Sequence, residues 1–76
     1  MSININTREV ETLTKIDSAD ANTTYIGEAK IGSSESSAVW QITKILKSGN
    51  VTSILSANSN LRFNNAWTDR ATLTYG

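Results

Sequence analysis

From Ala38 to Ala57 the chain reads AVWQITKILKSGNVTSILSA, two alternating runs on either side of a Ser-Gly-Asn turn. Successive side chains of a strand point to opposite faces. Trp40, Ile42 and Leu46 therefore fall on one side, and Gln41 and Thr43 on the other. Gly49 is free to take a positive φ, and Val51 through Ala57 returns antiparallel, which is the pattern of a hairpin. No other feature restricts the fold as much.

The rest of the chain repeats the theme. Helical periodicity is poor. Val, Ile and Thr favour strands, whereas Ser and Asn favour turns. Tyr25, Gly27, Ala29 and Ile31 share one face of a second alternating run, with Glu28 and Lys30 on the other. That is the signature of a half-buried strand. The preceding SADANTT reads as a loop, and GSSESS as a polar one. Asn-Ser-Asn after Ala57 supplies a further turn, with Asn where a left-handed residue is needed. Leu61 and Phe63 open the last segment. NNAWTDRA reads as a single helical turn or a corner, and Ala71, Leu73 and Tyr75 alternate as a final strand. Ile3 and Ile5 share one face of a short N-terminal segment. Leu13 and Ile16 are out of phase, so residues 9–17 read as either a strand or a short helix.

Seventy-six residues make one domain. A chain of this size buries only about 60% of the surface its unfolded form exposes, and such a core rarely supplies more than about 3–5 kcal/mol. The chain has no Cys and no His, which removes disulfides, thiolate sites and the commonest zinc and acid–base residue. Partner subunits are the remaining support. The absence of Pro is notable in a β protein, because Pro is one device that blunts a sheet edge. Exposed edges are expected to be covered by neighbours.

Seven basic and seven acidic residues cancel. Arg8, Lys15, Lys30, Lys44, Lys47, Arg62 and Arg70 are spread along the chain, whereas nucleic-acid binding needs clustered cations. No apolar run approaches a membrane span or a signal-peptide core, and MSININTREV reads as the native start of a cytosolically made chain. The sequons at Asn22 and Asn50 carry no weight in a chain so rich in Asn and Thr.

Catalytic constellations are missing. Asp69 and Arg70 have no nucleophile and base beside them. In a turn, Asp69 caps backbone N–H groups, and Arg70 lies on Trp67 or reaches a carboxylate. Glu9, Glu11, Asp17 and Asp20 lack the ligand spacing and Gly of a calcium loop and read as a solvated acidic face. Gly27, Gly32, Gly49 and Gly76 are isolated, so no phosphate cradle exists. Trp40 and Trp67 read as plugs of a small core; the alternative is stacking on a base or a sugar. An enzyme is not expected, nor is a cofactor or a metal.

Three motifs in order carry a resemblance. They are Thr23, Thr24, Tyr25, Gly27 and Ala29; then Ala38, Trp40, Ile42, Lys44 and Ile45; then Phe63, Trp67, Arg70, Ala71, Leu73 and Tyr75. This set resembles a family of small bacteriophage virion structural proteins, over residues 23–75. Two departures stand out. Ala57-Asn58-Ser59 replaces the family's Ala-Asp-Gly turn, and Asn64 replaces the acid after the Phe. Both remove negative charge, and the first loses a permissive Gly. The resemblance implies a virion protein made in the host cytoplasm. It would be tail or tail-fibre associated, or else a head decoration protein, with other virion proteins or its own copies as partners.

The expectation is an all-β domain of about five or six short antiparallel strands, in a small sandwich or partly open barrel. Residues 1–22 serve as an assembly arm or first strands, and 23–75 as the family-like module. Trp40, Ile42, Phe63, Trp67, Arg70, Leu73 and Tyr75 are assigned to the core or corner. Ile3 and Ile5 are assigned to an interface, by adding a strand to a neighbour's sheet. A module that binds host glycans through Trp40 or Trp67 is the competing class.

Overall fold

The computed structural model describes residues 11–76. Four strands, β1 (Thr12–Asp20), β2 (Thr23–Lys30), β3 (Gln41–Ser48) and β4 (Val51–Ser56), form one antiparallel sheet in the order β1-β2-β3-β4. A 3-10 turn, Trp67–Asp69, follows. The chain is thus all-β, as its alternation implies. The five or six strands and the sandwich or partly open barrel are not seen among the described residues, which form one open sheet. Ile3 and Ile5 lie outside them.

Each turn has a local cause. Between β1 and β2, the Asp20 carboxylate accepts the Asn22 N–H at 2.8 Å, an Asx turn that reverses the chain in two residues. Between β3 and β4, Gly49 takes φ 60°. After Ala57, Asn58 and Ser59 take φ 55° and 58°. Asn tolerates that region, whereas Ser adopts it at a cost of about 1–2 kcal/mol. The turn is therefore made without a Gly.

Register assigns the faces. Leu13 opposes Ala29, Lys15 opposes Gly27, and Asp17 opposes Tyr25; Gly27 opposes Ile42 and Tyr25 opposes Lys44. This side carries the core: Tyr25, Ala29, Trp40, Ile42, Ala57 and Trp67, with Leu13, Leu73 and Tyr75 packed against it. The lid over it is the 31–40 connection and the chain after β4. Trp40 fixes the first by donating its indole N–H to Ser34 O at 2.9 Å. It fixes the second through the reciprocal backbone pair Trp40 N–H to Asn65 O (2.8 Å) and Asn65 N–H to Trp40 O (3.1 Å). Gly27 is where the lid meets the sheet. A Cβ there would collide with Trp67 Cε3 and stand 2.6 Å from its Cζ3. Glycine is required by the approach of the ring, not by a turn.

Several expectations are corrected. Residues 12–20 are strand throughout, and Leu13 and Ile16 sit on opposite faces. Their phase mismatch came from assuming that both were core. Ser18 and Asp20 belong to β1 rather than to a loop. Ile31 lies beyond the end of β2 and is exposed, because the chain turns at Gly32, φ 90°. Phe63 is 52% exposed and not core. The final alternation does not make a strand: only Tyr75 pairs, in an isolated bridge to Ala57, and Ala71 is exposed.

Candidate assembly surface

Arg70 and its neighbours are the densest polar cluster. Its Nε donates to Asp17 Oδ2 at 2.9 Å and its Nη1 to Trp67 O at 3.0 Å, while the guanidinium lies 4.5 Å over the Trp67 ring. Tyr75 donates its hydroxyl to Arg70 O at 2.7 Å. The 3-10 turn places these groups, and the contact to Asp17 ties the end of the chain to β1. The Tyr75 hydroxyl is pushed up to about 12, first by burial and then by Tyr25 beside it, with Arg70 pulling the other way. Lys44 Nζ stands 5.5 Å over Tyr75 and 5.9 Å over Tyr25. The Arg70 Nε and Nη1 donors and the Tyr75 hydroxyl are all spent on the protein itself. The cluster locks the lid onto the sheet.

The remaining assigned residues divide cleanly. Trp40, Ile42 and Trp67 are buried, and Leu73 and Tyr75 are partly buried beside them. The two indoles lie 5.8 Å apart and offer no free face to a sugar. Asn65 was not singled out by sequence reasoning, yet it is buried. Its side-chain oxygen accepts from Asn58 at 2.8 Å, and its amide donates to Asn64 at 3.2 Å. Asn58 and Asn64 thus meet on one residue. In an Asn-rich chain, nothing in the spacing marks it. Among the described residues, no group of three Asp or Glu side chains is placed to hold a metal ion, and no helix is long and apolar enough to cross a membrane.

The opposite face of the sheet is reached at one end by Leu61, whose carbonyl accepts from Gln41 Nε2 at 2.8 Å; further along it, Ile16 and Ile54 are exposed. Ile16 opposes Ile26 across β1 and β2, and Ile45 opposes Ile54 across β3 and β4. Ile26 and Ile45 are diagonal neighbours, since Ile26 opposes Thr43 and Ile45 opposes Thr24. Four isoleucines therefore form a band across all four strands, flanked by Thr14, Thr24, Thr43 and Thr52. Ile16 is 66% and Ile54 72% exposed. At the β1 end of the molecule, Ile31, Val39 and Phe63, with Glu11 and Lys30 at the rim, line an open cleft of about 590 Å³.

The two edges differ. β1 carries Lys15 and Asp17 on its covered side, tied to Glu35 at 3.0 Å and Arg70 at 2.9 Å. It also shifts register between Ser18 and Asp20. Inward charges and bulges are the devices that keep an edge from pairing. β4, Val-Thr-Ser-Ile-Leu-Ser, has none of these.

Comparison with protein-family models, with curated proteins and with solved structures found no match to this chain.

Proposed function

We propose that the chain is a non-enzymatic assembly module of a bacteriophage particle, tail or tail-fibre associated, that binds its own copies or other virion proteins. The observation that carries the assembly reading is the isoleucine band on the open face. Scattered exposed aliphatics are ordinary, whereas a contiguous apolar surface marks a contact. The phage setting comes from the three ordered motifs. In this reading the further strands of the expected sandwich or barrel come from a neighbour, and Ile3 and Ile5 are offered to a neighbour's sheet.

Head decoration is the adjacent alternative, because it makes the same demand on the surface. A host-glycan module is less well supported, because both indoles are enclosed. The test is solution mass by sedimentation, joined to mass spectrometry of purified particles. Incorporation into particles is the expected result. Absence from the particle overturns the virion reading, and a monomer at every concentration that never joins a particle overturns assembly altogether.

A further inference from the structure

We infer that the β4 edge pairs antiparallel with the β4 edge of a second copy, centred on Ser53. The inference deepens the assembly reading and rests on it for its setting, but its geometry comes from the hydrogen-bond pattern of this sheet alone.

In an antiparallel strand, successive residues direct their backbone groups to alternate sides. Ala57 N–H bonds to Ile42 O on the β3 side, at 3.0 Å. Ser56 exchanges both bonds with Gly76 on the outer side, at 3.0 and 3.1 Å. The even-numbered residues of β4 therefore face outward. Thr74–Gly76 occupies Ser56 and also accepts the Asn58 N–H at Thr74 O, 2.7 Å. Thr52 and Ile54 keep their outward N–H and C=O groups free of any described residue. The chain thus starts a fifth line of pairing on this edge, and the described residues leave the rest of it open.

That partial cover selects one register. Placing Ile54 opposite Ile54 of the second copy would require the groups of Ser56, which Gly76 holds. Placing Thr52 opposite Thr52 would draw the Gly49–Asn50 turn into the ladder. Centring on Ser53 sets Thr52 opposite Ile54 of the second copy and Ile54 opposite its Thr52, so that each open group meets its complement. Val51 then faces Leu55 on the covered side, and no charged side chain of either strand is brought to the seam. β1 cannot serve equally, because its inward charges and its bulge break the flat edge that pairing needs. The occupant is another β4, because the strand is its own complement under a two-fold axis, the isologous contact of most homodimers. The two open faces stay on one side, so the isoleucine bands adjoin. An edge pairing of this length falls at the small end of interfaces, below about 1,200 Å² in total, so the association is expected to depend on concentration.

The chain has no Cys, so Ser53→Cys introduces a single thiol. Cα atoms in a non-hydrogen-bonded antiparallel pair stand ~4.5 Å apart, within the ~4.4–6.8 Å that a disulfide spans. The experiment compares mild oxidation of full-length Ser53→Cys with that of Ser18→Cys, whose thiol sits on the other edge strand. Disulfide-linked dimer is expected to form from the first at least about tenfold faster, with the rate rising with concentration. Adding Thr52→Pro to Ser53→Cys removes an outward N–H from each copy and leaves the β3–β4 ladder intact. It is expected to slow linkage by about tenfold, the effect of losing two modest hydrogen bonds, with an unchanged far-ultraviolet spectrum. Equal linkage rates at the two edges overturn the inference, as does a rate indifferent to Thr52→Pro, which would assign the contact to residues 1–10 or to another surface. Particles that contain the protein while Ser53→Cys fails to link would keep the assembly reading and remove this edge. Linkage without incorporation into particles would keep the edge and remove the virion reading.

Discussion

Trp40 precedes β3 and Ile54 lies in the adjacent β4, yet the indole is fully buried and the isoleucine is 72% exposed. The covered face is built from two indoles, a tyrosine pair 5.9 Å apart, a glycine that lets a ring touch the backbone, and a polar corner that closes over them. The open face has cross-strand pairs, Ile16–Ile26 and Ile45–Ile54 among them, each contributing about 0.2–1 kcal/mol. Stability of the single chain is therefore concentrated on one side of the sheet. The described residues leave the apolar side chains Ile16 and Ile54 on the other side exposed. Substitutions that separate the two faces test this division.

The largest effect is expected at Trp40. Trp40→Ala removes a fully buried ring, typically worth about 3–5 kcal/mol, together with the indole bond to Ser34 O. That loss equals the whole stability expected of so small a core, about 3–5 kcal/mol. The variant is expected to lack a cooperative unfolding transition, and its remaining indole to emit at the wavelength of solvated tryptophan. Wild-type emission is expected to be blue-shifted. Gly27→Ala attacks the same face by addition. Its methyl group meets the Trp67 ring, and overpacking of this kind costs about 1–3 kcal/mol, readable as a lower urea midpoint.

Arg70 comes next. Arg70→Met keeps the stem and removes the ion pair to Asp17, the stacked cation and the bond to Trp67 O. The Arg70–Asp17 pair is about one-third exposed, so solvent screens it and its share is small. The sum is about 1–2 kcal/mol, with the cation over the ring contributing about 0.5–1 of it. Asp17→Asn, which touches the ion pair alone, is expected to cost less than Arg70→Met. Equal costs would mean that the corner is held by charge and not by stacking.

Tyr75 gives the same corner a pH signature. Its hydroxyl titrates near 10 in the unfolded chain and is raised to about 12 in the fold. Between these values the unfolded state has released a proton that the folded state still holds, so stability falls as pH rises. The contribution is fully present below about 10 and is lost as pH climbs through about 12. A phenolate also cannot donate to Arg70 O. Thermal midpoints of wild type and Tyr75→Phe, followed from pH 9 upward, are expected to converge as the tyrosine loses its advantage.

The sequence exposed these two faces unequally, for physical reasons. Tyr25, Gly27 and Ala29 alternate because their strand is covered on one side only, and period two records that directly. Trp40 and Ile42 follow the same rule. Phe63 reads from its chemistry as core or corner, but its segment meets the sheet only through the Trp40–Asn65 bridge and the Gln41 side chain on Leu61 O among the described residues. With so little pairing, no pleat dictates where its ring points. Arg70 and Asp17 meet across 53 positions, and no local pattern encodes such a distance. The isoleucine band was hidden for a related reason. Ile16, Ile26, Ile45 and Ile54 come from four strands, so the band is a property of register, and register emerges only when turns of known length fix each strand against the next.

The smallest expected effect is the most diagnostic. Ile54→Thr and Ile16→Thr each exchange an exposed β-branched side chain for a polar one of equal β preference. Surface changes of this type usually fall within about 0.5 kcal/mol, so the unfolding midpoint of the dilute protein is expected to stay in place. Self-association, read by sedimentation as concentration is raised, is expected to weaken in the same variants. A loss of more than about 1 kcal/mol in dilute solution would mean that the open face is already covered within the single chain. Residues 1–10, with Ile3, Ile5 and Val10, would be the segment able to cover it. An unchanged midpoint with unchanged association would instead move the contact to the cleft of Ile31, Val39 and Phe63, where Phe63→Ser is the corresponding substitution.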